Sequence, residues 1–152
     1  SSLSEDGNQI IFHNYVNLAV AVGLEEGLIV PVVKHAEKMS LSELVVAIKD
    51  LTARTVSKKL LPDEQMGSTF TISNLGMYGV SHFSAIINQP NAAILSVAAT
   101  VKKPVVINNE IVIRPMMNMS LTSDHRLIDG LVAAKFMTDL KALIENPFSL
   151  LI

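Results

Sequence analysis

The sequence predicts an α/β chain, and three observations carry that expectation. Several stretches alternate apolar and polar residues with the period of a strand, two long stretches space their apolar residues three and four apart, and turn-forming clusters separate them. With 152 residues, 49% of them hydrophobic and only 17% charged, the chain can bury a full-sized core as one domain. Globular chains average roughly 25% charged residues, so the deficit points to apolar surface covered by other subunits.

The elements follow in order. Ser1 to Asn8 is polar and turn-like. From Tyr15 to Val22, Val16, Leu18, Val20 and Val22 alternate with Asn17, Ala19 and Ala21, which predicts a strand buried on its branched face. Gly23 to Gly27 reads as a turn and Leu28 to Val33 as the returning arm of a hairpin, bent or at an edge because of Pro31. Ser40 and Glu43 have capping-box spacing, so a helix starts there and runs to about Lys59. Its inner face is Leu41, Leu44, Val45, Ile48, Leu51 and Thr55, and Lys58 and Lys59 suit its negative end.

Ser68 to Ser73 alternates again, with Phe70 and Ile72 on one side and Thr69, Thr71 and Ser73 on the other, and ends at the breaker-rich Asn74 to Gly79. His82 to Ile87 is read as a short helical turn, Asn88 to Asn91 as turn chemistry and Ala93 to Val101 as an apolar strand. Asn108-Asn109-Glu110 joins two β-branched arms into a hairpin, because Asn tolerates positive φ. Met117, Met119 and Leu121 form the next strand face, and Asp129 to about Glu145 the second helix, stopped by Asn146-Pro147. The closing Phe148 to Ile152 is so apolar that exposure would forfeit roughly 1.5–3 kcal/mol per side chain, and it is expected to dock in a hydrophobic groove, on this subunit or another.

Several function classes are disfavoured. A net charge of −2, from 12 basic and 14 acidic residues without long blocks, leaves no footprint for nucleic acid. Zero cysteines exclude disulfides, thiolate metal sites and a Cys nucleophile, and fit a reducing compartment. No apolar run approaches the ~20 residues of a membrane span, and no targeting signal opens the chain, so a soluble protein without a membrane partner is expected.

The chemistry concentrates in Ser120 to Gly130. His125 lies between a strand and a helix, flanked by Asp124, Arg126 and Asp129, where a histidine can serve as a general base near neutral pH. His13, His35 and His82 lack such a setting and take the ordinary structural reading. Asp124 and Asp129 could each orient the imidazole or simply pair with Arg126 or another arginine. The structural pairing is favoured for Asp129, where it would hold the loop that carries the base. One His and two Asp at this spacing match zinc ligation poorly. Gly130 can take positive φ or admit another chain closely. Ser73, at a strand end before a glycine-bearing loop, has no nucleophile-elbow context, but its hydroxyl could donate to an oxyanion.

The run Asp124-His125-Arg126-Leu127-Ile128-Asp129-Gly130, preceded by Met119 to Ser123, resembles the active-site signature of the dihydrolipoamide acyltransferases that form the core of 2-oxo acid dehydrogenase complexes. The blocks Gly27 to Val33, Gly67 to Gly76, Ile87 to Leu95 and Glu145 to Leu151 resemble that family in the same order, over the chain from about Phe12 onward. The resemblance implies a chloramphenicol acetyltransferase-like fold, a mixed sheet flanked by helices. It further implies homotrimers assembled into a hollow cubic (24-mer) or dodecahedral (60-mer) core, with the apolar C-terminus at contacts between trimers. His125 from one subunit would be the base, Ser73 from its neighbour the oxyanion donor and Asp129 a supporting carboxylate. The substrates would be coenzyme A and a lipoyl group, entering a channel from opposite ends. The partners would be the decarboxylase and dihydrolipoamide dehydrogenase components, in the bacterial cytoplasm or, second, the mitochondrial matrix.

The family's catalytic domain ordinarily has several tens of residues upstream, including a helix and basic residues that shape the coenzyme A site, and lipoyl and subunit-binding domains before that. The chain is therefore read as an N-terminally truncated catalytic domain over 1–152. Leu131-Val132-Ala133-Ala134 does not resemble the Arg-Glu-Ser run of succinyl transferases, so acetyl, then branched-chain acyl, is the expected cargo. Two rivals remain: another coenzyme A-dependent acetyltransferase of the same fold, and an inactive structural core.

Overall fold

Two-residue turns, glycines and one proline divide this chain into strands, and their pairing builds one mixed sheet. The structure, a computed structural model, describes residues 1–150 apart from the side chains of Ser149 and Leu150. A small hairpin, β1 (Ser2–Leu3) with β2 (Ile10–Ile11), opens the chain. The main sheet holds β3 (Leu18–Leu24), β4 (Gly27–Ile29), β5 (Val32–Val33), β6 (Phe70–Asn74), β7 (Ala93–Ile107) and β8 (Glu110–Ser123). Its order is β4-β3-β6-β7-β8, with β5 also paired to β3. β6 runs parallel to both β3 and β7, and the other pairings are antiparallel.

The expected first hairpin is present, and Pro31 breaks its second arm into β4 and β5, as a residue without an N–H should. The Asn108-Asn109 turn places both residues at positive φ, 51° and 63°, which matches the right-handed twist of the two long arms. That hairpin is one ladder from Ile107↔Glu110 to Ala93↔Ser123, interrupted by one shift in register between Val97 and Thr100. The arms are thus longer than the two short apolar runs suggested.

Helix α1 (Leu41–Val56) starts at a complete capping box, with the Glu43 amide bonded to Ser40 Oγ and the Glu43 carboxylate returning to the Ser40 amide. Leu51 and Thr55 are buried, and Leu44 and Ile48 pack against a cluster of Val33, Ala36 and Leu51 that also takes Leu18 from β3. Leu41 and Val45, at the margin of the predicted face, stay exposed. Helix α2 (Gly130–Glu145) packs on β8 and brings Phe136 to 6.0 Å from Phe70 of β6. Leu18 and Phe70 are directly paired and share a face, so both helices lie on the same side of the sheet.

Burial departs from the expected faces. Asn17 and Ala19, opposite the face expected to be buried in the first strand, are buried, as is Thr71 of β6, while Leu18, Val20, Phe70 and Ile72 are only partly covered. Two helices do not blanket the apolar face, whereas on the opposite face Thr71, Ser96 and Ser120 are bonded by irregular chain laid against them. Part of that chain is the segment 80–88, within which His82 to Ile87, expected to be a helical turn, has no regular structure. The Ala99 amide bonds the Val80 carbonyl, Asn118 Nδ2 donates to Ser81, Ser120 Oγ donates to Phe83, and the Ala85 amide donates to Ser96 Oγ. Backbone that forgoes a helix or ladder must find such partners. The predicted docking of the apolar terminus falls largely on residues outside the described side chains; Phe148, within them, is 76% exposed.

Candidate active site

His125 sits in a tight turn between β8 and α2. The carbonyl of Asp124 accepts the amides of Leu127 and Ile128, both at 2.9 Å, and the Asp124 amide donates to the Ala92 carbonyl at 2.8 Å. The Asp124 carboxylate takes the Arg126 amide at 3.0 Å and grips its guanidinium through Nε and Nη2, the latter at 2.6 Å. These bonds from Arg126 hold the Asp124 carboxyl down to about 2, below the usual carboxylate range, so it stays ionised at any working pH. Of the two alternatives open for Asp124, the pairing with Arg126 is the one formed.

The loop is therefore clamped by Asp124, not by Asp129 as expected. Asp129 is the N-cap of α2 without a side-chain capping bond, and its exposed carboxylate has no partner among the described residues. Its spacing four residues after His125 is legible in the sequence, but an ion pair depends on where a cation arrives, and Arg126 reaches Asp124 first. Gly130 does not use a positive φ; it is the first residue of α2, with open space where a Cβ would be. The His125 side chain is exposed and makes no hydrogen bond among the described residues.

Ser73 lies near the C-terminal end of β6, directly paired with Ser96 of β7, which is paired with Ser120 of β8. Directly opposed residues share a face, so the three hydroxyls form a row across the sheet. Ser96 and Ser120 are occupied by the segment 80–88. The Ser73 hydroxyl has no partner among the described residues and is only partly covered, which leaves it able to donate to a ligand. Ser96 and Ser120 were not singled out in the sequence, although a serine amid the apolar Ala93 to Ala99 was a visible signal.

One chain does not bring Ser73 and His125 together. Two inter-strand steps and three residues along β8 separate Ser73 from Ser123, about 14 Å at ordinary sheet spacings. Asp124 then continues the same way, level with Ala92, so His125 is farther still. A general base must come within hydrogen-bond reach of the proton it takes, and an oxyanion donor lies about 3 Å from the same reacting centre. The two residues can serve one reaction only if different copies supply them.

Relatives of this chain are recognisable across its whole length. The family of 2-oxoacid dehydrogenases acyltransferase catalytic domains matches residues 1–152. The dihydrolipoyllysine-residue acetyltransferase component of the pyruvate dehydrogenase complex of Rickettsia prowazekii is 45% identical over all 152 residues. The succinyltransferase component of the 2-oxoglutarate dehydrogenase complex of Azotobacter vinelandii is 42% identical over 149. The chain spans 37% of the length of each. The fold matches a crystal structure of Azotobacter vinelandii dihydrolipoamide acetyltransferase with a TM-score of 0.94 at 37% identity, covering 99% of this chain and 62% of that one. That structure was studied for the role of a serine, a histidine and an asparagine in catalysis.

Proposed function

Since the chain belongs to the 2-oxoacid dehydrogenase acyltransferase family, in its catalytic-domain region, we propose that it moves an acyl group between dihydrolipoamide and coenzyme A. His125 of one subunit is the base and Ser73 of its neighbour the oxyanion donor. The observation that carries the residue assignment is an interval. In the Azotobacter acetyltransferase the catalytic serine and histidine are 52 residues apart and the asparagine follows 4 later, and these are the intervals from Ser73 to His125 and from His125 to Asp129. By this interval Asp129 corresponds to that asparagine.

The reaction balances without a metal. The His125 imidazole takes the proton of the coenzyme A thiol, and the thiolate attacks the thioester carbonyl of S-acyl-dihydrolipoamide. The Ser73 hydroxyl donates to the tetrahedral oxyanion. Collapse breaks the carbon–sulfur bond to the lipoyl sulfur, which leaves with the proton held by the imidazolium. General-base help of this kind contributes roughly 10² to 10⁴ in rate and one oxyanion donor roughly 10² to 10³.

Acetyl is the proposed acyl group. The first turn of α2 after Gly130 offers Leu131 to Ala134 and no cation before Lys135, so a succinyl carboxylate would find no partner there. The separation of Ser73 from His125 supports a trimer or a larger core built of trimers. The lipoyl group would arrive on another domain, and the decarboxylase and dihydrolipoamide dehydrogenase components would be partners. The relatives named above are bacterial, which supports the cytoplasm.

The test uses complementation. His125→Ala should lower kcat by roughly 10² to 10⁴ and Ser73→Ala by roughly 10² to 10³, and co-expressing the two should restore activity, because a mixed trimer rebuilds a site with both residues. Near-normal transfer by His125→Ala, or no recovery on mixing proteins shown to co-assemble, would end the assignment.

A further inference from the structure

We propose that Asn91, braced by Thr71, is a positioning residue for His125, acting through the Ala92 carbonyl. The inference rests on His125 being the base. Asn91 is 5% exposed and Thr71 wholly buried. Asn91 Nδ2 donates to Thr71 Oγ1 at 2.6 Å, its Oδ1 accepts from Ser68 Oγ at 3.2 Å, and its amide closes a turn on the Asn88 carbonyl at 3.0 Å. Asn88 Nδ2 reaches the same Thr71 oxygen at 3.4 Å. Both donors hang on one hydroxyl of β6, and the residue after Asn91 presents the carbonyl that receives the Asp124 amide.

The result is a short rigid path from the middle of the sheet to the base: Thr71, Asn91, Ala92, Asp124, His125. It matters because the imidazole itself is tethered to nothing among the described residues. Its orientation depends on the backbone turn beneath it, and that turn is fixed outwardly by the Asp124 amide and inwardly by Arg126. Burial makes the path stiff, since neither Asn91 nor Thr71 can exchange its partner for water without opening the core. Catalytic groups need placement within a fraction of an ångström, and an error of about 1 Å introduced away from the chemistry can lower the rate by about 10².

The experiment uses the full-length assembled protein. Thr71→Val keeps the shape and removes the acceptor, Asn91→Ala removes the donor, and Thr71→Ser restores the hydroxyl. The first two should lower kcat by about 10- to 100-fold with KM for coenzyme A unchanged, and Thr71→Ser should recover most of it. Amide exchange over residues 121–128 should quicken in Thr71→Val and Asn91→Ala. In a His125→Ala background, Thr71→Val should add nothing further, because it acts through the base. A folded Thr71→Val with unchanged kcat and exchange overturns the inference, as does a loss that persists in full without His125. Unimpaired transfer by His125→Ala with faster loop exchange in Thr71→Val would instead sink the role of the base while supporting the path. Should Asn91→Ala fail to fold, Thr71→Val decides alone.

Discussion

Gly76→Ala offers a direct measure of how tightly the chain after Ser73 is pressed onto the sheet. A Cβ at Gly76 would lie 2.9 Å from the Ala98 carbonyl oxygen, 3.2 Å from its carbon and 3.1 Å from Asn74 Oδ1. Non-bonded heavy atoms attract best near ~3.5 Å and beyond, so the new methyl must push something aside. Ala98 is backbone of β7, nearly fully buried, and Leu75 is bonded to Val97 beside it. The turn must therefore move, not its neighbour. Overpacking of this kind costs about 1–3 kcal/mol, and the unfolded-state gain from replacing glycine returns about 0.4–1 kcal/mol. A net loss of about 1–2 kcal/mol should lower Tm by roughly 2–8 °C at ~2–4 °C per kcal/mol. Thermal unfolding at matched oligomeric state measures it, with Gly23→Ala as control, where nothing lies within 4 Å and φ is not positive. Because the turn begins at the end of the Ser73 strand, kcat should fall as well. A Tm for Gly76→Ala equal to that of Gly23→Ala would refute the close packing.

Two further outcomes follow from the His125 loop. Asp124 is held at about 2 by Arg126, below its ordinary 3.8, so the clamp is fully formed above pH ~4 and is lost as pH falls through 2. The amide and Nε–H resonances of Arg126 should titrate with a midpoint near 2 and lose that step in Asp124→Asn; a midpoint near 4 would mean the pair is not formed. Asp129→Asn should keep kcat within a few-fold, since asparagine occupies that interval in the Azotobacter acetyltransferase. Asp129→Ala should lower it by about 10-fold or more if the side chain touches a neighbouring copy. Equal activity of the alanine and asparagine variants would remove Asp129 from the site.

Much of this molecule was legible one residue at a time. Ser40 and Glu43 announce α1 because a capping box is closed within one turn, and Asn108-Asn109 announces the long hairpin because few other residues tolerate two positive φ angles in a row. The signature around His125, the open hydroxyl position at Ser73 and the order of the blocks between them are likewise local. What misled were the faces. Alternation in β3 and β6 correctly indicates strands, but which side is buried depends on what covers it: Ala19 and Thr71, the latter under irregular chain, are more fully buried than Leu18 and Phe70 on the side of the two helices.

By itself the sequence determined the main strands, the two long helices, the Asn108-Asn109 turn and the family, because each is written in residues close together in the chain. The tertiary structure decided the rest. It chose Asp124 over Asp129 as the loop's clamp, aligned Ser73 with Ser96 and Ser120, and set Asn91 on Thr71. It also placed Ser73 and His125 too far apart for one chain to use both. The clamp is a choice between two nearby carboxylates that only the fold of the loop makes, while the other facts come from strand register and from which groups meet across it, and residues twenty or fifty positions apart carry no local mark of their meeting.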